Sequence, residues 1–63
     1  MAWIRTDKED GSQEEVSELR IFEILTGYYD NVNLALLTAK LYGISVESSF
    51  ATYRWVTEVT DGH

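Results

Sequence analysis

Cysteine and proline are absent from these 63 residues, and histidine occurs once, at the last position. Without cysteine there is no disulfide and no Cys-based zinc clip, which excludes two of the usual staples of very small domains. With His63 as the only imidazole, Ser-His and Cys-His nucleophile pairs and Cys/His zinc sites lack the groups they need. At that position His63 reads as part of a frayed tail. A long apolar run is missing too: Asn33, Thr38 and Lys40 interrupt the oiliest stretch, which falls well short of the roughly 20 residues of a membrane span. The opening Met1-Ala2-Trp3-Ile4-Arg5 lacks the basic region and apolar core of a signal peptide, so the expected location is the cytoplasm of a cell or of a phage host. No catalytic residue, metal ligand set or cofactor is assigned, and the expectation is a protein that is not an enzyme.

Basic residues are also scarce. Lys+Arg number 5 against 11 Asp+Glu, a formal net charge of -6, and that sign works against long-range attraction to a phosphate backbone. The acids concentrate between residues 7 and 18, where Asp7, Glu9, Asp10, Glu14, Glu15 and Glu18 face a single cation, Lys8. The plain reading is a solvated loop with a helix start matched to the helix dipole; the functional one is a lure for a basic partner. Aligning Gly11 with the obligatory glycine of a calcium loop puts Thr6 and Lys8 where carboxylates are required, so that motif fails.

Hydrophobic residues at 44% and aromatics at 13% are enough for a folded core. A chain this short buries only about 60% of its unfolded surface, so self-association or partner binding is the remaining staple and a homo-oligomer is expected. One domain over residues 1–63 is the economical reading, with residues 1–11 as an acidic N-terminal arm free to be flexible.

Ser12-Gln13-Glu14-Glu15 fits a capping box and predicts a helix start. On the helical wheel that follows, Ile21, Phe22, Ile24, Leu25, Tyr28 and Tyr29 share a broad arc, the expected core face. Asp30 or Asn31 can cap a second helix. Over residues 32–42 only Asn33, Thr38 and Lys40 are polar, which predicts a helix buried over most of its circumference. Gly43 supplies a left-handed helix end, Ile44 can fold back on the last turn, and Ser45 reads as a new N-cap.

Residues 46–60 fit two conformations. As a helix they put Val46, Phe50 and Tyr53 on one stripe and Ala51, Trp55 and Val59 on nearly the opposite one. As a strand, residues 52–60 are rich in β-branched and aromatic side chains. The preceding cap signal favours the helix, and the expected fold class is mostly α, a compact three-helix domain with a helix-turn-helix-like corner. The alternative is two helices packed on a two-stranded ribbon formed by residues 2–6 and 52–60.

The run Ala39-Lys40-Leu41-Tyr42-Gly43-Ile44-Ser45, with Tyr53-Arg54-Trp55-Val56 after it, resembles the helix-turn-helix of small phage or mobile-element regulators and of transposase N-terminal domains. Ala39, Gly43 and Ile44 match the close-approach, turn and sealing positions of that family. The resemblance, over residues 39–56, implies a second helix presented to the DNA major groove.

The expected function is that of a small acidic regulator of the phage or mobile-element type that binds a protein partner. Tyr53, Trp55 and Val59 are the expected contacts, because two apolar stripes on one helix cannot face the same core, and Asp7, Glu9 and Asp10 are the steering groups. The alternative is a dimeric helix-turn-helix transcriptional regulator, with Arg54 on phosphate or guanine and Ser48 and Thr52 as weaker polar readers; net charge disfavours nucleic acid.

Overall fold

A computed structural model describes residues 1–57. In chain order they form β1 (Ala2–Asp7), β2 (Gln13–Val16), α1 (Glu18–Leu25), α2 (Val32–Tyr42), β3 (Val46–Glu47) and β4 (Ala51–Val56). The strands make one antiparallel sheet in the order β2-β1-β4-β3. The three-helix expectation with its helix-turn-helix-like corner is therefore overturned. The chain is not a helical protein but an α/β one, two helices and a four-stranded sheet. Residues 2–6 do pair with β4, but as the centre of that four-stranded sheet rather than as a two-stranded ribbon.

Two local signals account for the difference. After Asp7 the chain turns back on itself: the Asp7 carboxylate accepts the Glu9 and Asp10 amides at 2.7 and 3.2 Å, and Gly11 takes a φ of 75°, a left-handed value that glycine adopts without strain. The amide of Ser12 donates to the Asp10 carboxylate at 2.8 Å and holds that carboxyl below its usual pKa. Ser12 and Gln13 thus belong to a turn and a strand, and the expected helix start there is corrected to Ser17, whose hydroxyl accepts the Arg20 amide at 3.2 Å.

The second signal is Ser48. Its hydroxyl accepts the amides of Phe50 and Ala51 at 3.2 and 3.3 Å, and its own amide donates to the Ala51 carbonyl at 2.9 Å. That closes a hairpin between β3 and β4, so Ser45 leads into a strand and caps no helix. The β-branched and aromatic content of Thr52, Tyr53, Trp55 and Val56 then prevails over the cap signal.

Residues opposite one another across a ladder share a side of the sheet. On the covered side, Trp3 stands between Val16 and Trp55, and Tyr53 between Arg5 and Val46. Both helices pack on that side. Ile21 and Leu25 of α1 and Val32, Leu36 and Ala39 of α2 join Trp3, Val46, Ala51 and Tyr53 in one buried cluster. The other side carries Ile4, Thr6, Glu15, Thr52, Arg54 and Val56 and is covered by no helix. An antiparallel sheet tolerates this because only one of its faces must be apolar.

A polar clasp fixes the helices to the sheet. Glu18, at the start of α1, accepts from the Trp3 indole N–H at 3.0 Å and from the Lys40 ammonium at 2.7 Å. Lys40, near the end of α2, lies 4.7 Å over the Trp55 ring, which tilts 60° against Trp3 at 5.3 Å between centroids. The start of α1 therefore meets the end of α2, and the two helices run antiparallel. Lys40 first and the Trp3 N–H second hold the Glu18 carboxyl below its usual pKa.

Candidate docking surface

The second helix positions the surface of interest. Asn31 caps it by accepting the Leu34 amide at 3.0 Å, and Gly43 ends it at φ 69° with its N–H on the Ala39 carbonyl at 2.9 Å. Between these caps the rotation from each residue to the next is fixed, so the side chains divide by position alone. Val32, Leu36 and Ala39 share the arc that meets the sheet and are 6%, 2% and 0% exposed. Leu34, Leu37 and Leu41 share the opposite arc and are 57%, 51% and 68% exposed.

The expected burial of this helix over most of its circumference is thus corrected: only its sheet-facing side is covered. The reason is architectural. In a two-layer domain a helix has one packed side, and a helix that is apolar all round needs a third layer to cover the rest.

The apolar surface extends beyond the three leucines. Tyr42 is 74% and Ile44 48% exposed, and Ile44 lines a shallow groove of about 490 Å³ with Leu34, Ala35 and Thr38. Taking roughly 200 Å² for each fully exposed residue, backbone included, the five large residues leave on the order of 600 Å² open. That is at the top of the range for the largest apolar patch of an ordinary monomer. No acidic residue lies on α2, and its one cation, Lys40, is tied to Glu18.

The residues expected to contact a partner are not brought together. Tyr53 is 2% exposed, a core residue under the helices. Trp55 is half-buried against the same core with Lys40 over its ring. Asp7 is half-buried, paired with Arg5 at 3.6 Å and committed to the β1–β2 turn, while Glu9 and Asp10 are exposed in that turn. Trp55 lies opposite Trp3 and the turn begins after Asp7, four residues further along β1, so about 13 Å separates them. Val59 and His63 lie outside the described residues.

Of the nucleic-acid set, Thr52 and Arg54 point to the open side of the sheet, and Ser48 is buried inside its own turn. Arg54 flanks Ile4, which has Glu15 on its other side, so the local charge there is mixed. Residues 46–56, expected to form the helix presented to DNA, are strand, turn and strand.

Among the described residues no group of three His, Cys, Asp or Glu side chains could hold a metal ion, and no helix is long and apolar enough to cross a membrane. Leu34, Leu37, Leu41 and Tyr42 are not among the contacts expected from the sequence. The signal that finds them is the pair of apolar stripes, 32/36/39 and 34/37/41, on one helix of a domain too small for three layers. No protein-family model, no curated protein and no solved structure matches this chain.

Proposed function

We propose that this protein is a small non-enzymatic regulator that acts by docking onto a protein chain through the outward side of α2. One observation carries the reading: Leu34, Leu37 and Leu41 stand more than half exposed on a helix whose opposite side is seated in the core. Burying leucine stabilises by roughly 1.5–3 kcal/mol per side chain, so leaving three in water on one stripe forgoes a large term for so small a domain. A partner that covers the stripe recovers it. The capped ends hold the helix in place before any contact, which limits the ordering cost of association.

A photoreactive amino acid tests the surface directly. Placed at Leu37, it should form a covalent adduct with a protein in the cells that naturally make this chain. Placed at Thr52, on the open side of the sheet, it should form none. No adduct from position 37, or equal adducts from both positions, overturns the reading.

A further inference from the structure

We infer that the protein chain seated on this surface is a second copy of the same molecule, joined about a two-fold axis that crosses α2 between Leu37 and Thr38. This rests on the docking role proposed for α2 and adds the identity and register of the occupant.

The spacing supplies the geometry. Leucines at 34, 37 and 41 have the three-then-four interval of a helix-packing seam. Turned end for end about a point midway between 34 and 41, the stripe meets itself, so that Leu34 faces Leu41 of the second copy and the two Leu37 side chains meet near the axis. A two-fold contact requires such a self-complementary patch. Antiparallel helices also set each helix N-terminus beside the other's C-terminus, where their dipoles attract.

The area and the charge agree with that occupant. If all of the roughly 600 Å² exposed on these residues is covered, two copies bury about 1,200 Å² between them, at the low end for a specific stable interface. With a net charge of -6, two copies repel unless their carboxylates are kept apart. Among the described residues the acids lie on β1, the β1–β2 turn, β2, α1 and β3; none lies on α2, and Asp30, just ahead of its cap, borders the seam at one end. The seam is apolar while the repulsion is peripheral, so added salt should tighten the dimer by screening the rims. An ion-paired interface would respond in the opposite sense.

Sedimentation of the full chain over a range from about 1 µM to 1 mM, interpreted as a mass-action equilibrium between one copy and two, is the first measurement. The weight-average mass should climb from 7.2 kDa toward twice that value, and the climb should shift to lower concentration in higher salt. Leu37→Glu places two carboxylates at the axis and should weaken association by about a hundredfold or more, with the circular dichroism of the fold retained. Thr52→Glu, on the open side of the sheet, should leave association unchanged. Because the chain has no cysteine, Leu37→Cys provides an independent check: mild oxidation should link two copies, whereas Leu34→Cys should link efficiently only when mixed with Leu41→Cys.

A monomer at every concentration overturns the inference, as does a dimer indifferent to Leu37→Glu or a failure of Leu37→Cys to link. If the chain is monomeric but position 37 still gives a photoadduct with a different protein, the docking role stands and only the second copy falls. If there is neither dimer nor adduct, both fall.

Discussion

The two sides of α2 are built from the same residue types and have opposite roles. Leu36 is 2% exposed and Leu37, its neighbour in the chain, is 51% exposed. Chemistry does not separate them; a rotation of about 100° around the helix axis does. Hydrophobicity in a sequence therefore identifies what needs covering, while the number of layers the chain can build decides how much of it is covered from within. Here the described residues build two layers, and the outward leucines are left over.

The largest effect on this contrast should come from the inner side. Leu36→Ala should cost about 2–5 kcal/mol of folding stability, measured by urea unfolding, because it opens a cavity beneath the helix. In a domain of this size each loss of about 1 kcal/mol lowers the melting temperature by about 4–8 °C, so this variant should approach unfolding at ambient temperature. A loss under about 1 kcal/mol would show that the inner side is not packed as described.

Gly43→Ala is expected to cost about 1–2 kcal/mol, read in the same titration. No neighbour would meet the added methyl within 4 Å, so the whole effect is the strain of a left-handed φ at the helix end.

Glu18→Gln should cost less, below about 1 kcal/mol near neutral pH, since the Lys40 pair is half-exposed and screened. Its pH dependence sharpens the assignment. Glu18 has its folded-state pKa lowered from 4.5, so its contribution is present above that value and is lost as pH falls through the lower folded one. The gap in stability between wild type and Glu18→Gln should therefore close as the solution is acidified below about pH 4.5. A gap that is constant down to strong acid would detach Glu18 from Lys40.

The smallest effect belongs to the outer side. Leu41→Gln should leave the stability of the monomer within about 0.5 kcal/mol when unfolding is followed at a concentration too low for association. A loss comparable with that of Leu36→Ala would erase the difference between the two sides.

Where a local rule acts alone, the sequence is readable. Asn31 caps α2 and Gly43 ends it as the residue types suggest; of the arc expected to face the core, Ile21 and Leu25 are buried and Ile24 and Tyr29 half-buried, while Phe22 and Tyr28 are exposed because only one side of α1 meets the sheet. Where two local rules compete, the outcome depends on pairing partners far along the chain. Ser12-Gln13-Glu14-Glu15 satisfies a capping pattern, but Arg5 and Thr6 offer Glu14 and Gln13 a ladder, and the strand wins. Residues 51–56 follow a cap signal and carry strand-forming side chains; the waiting edge of β1 decides in favour of the strand.

The site is partly legible for a related reason. That one helix carries two apolar stripes is a local fact, and the sequence points to a surplus stripe on residues 46–60. Tyr53 and Trp55 belong to a strand whose covered side is the core, so among the described residues of that stripe pair only Phe50 is left well exposed, and the continuous surplus stripe lies on residues 32–42. Only the layer count moves the free surface from one element to the other.

The central ladder also orders events during synthesis. Among the described residues the first strand made, β1, must wait for residues 51–56 before its inner edge is satisfied, with both helices synthesised between them. The caps of α2 are local, so it needs no distant partner to form, but the nascent chain holds Trp3 and an open strand edge unprotected until β4 has left the ribosome. Slow decoding across the last helix should prolong that interval, and a ribosome stalled before Ala51 should carry a protease-sensitive polypeptide rather than a half-built domain.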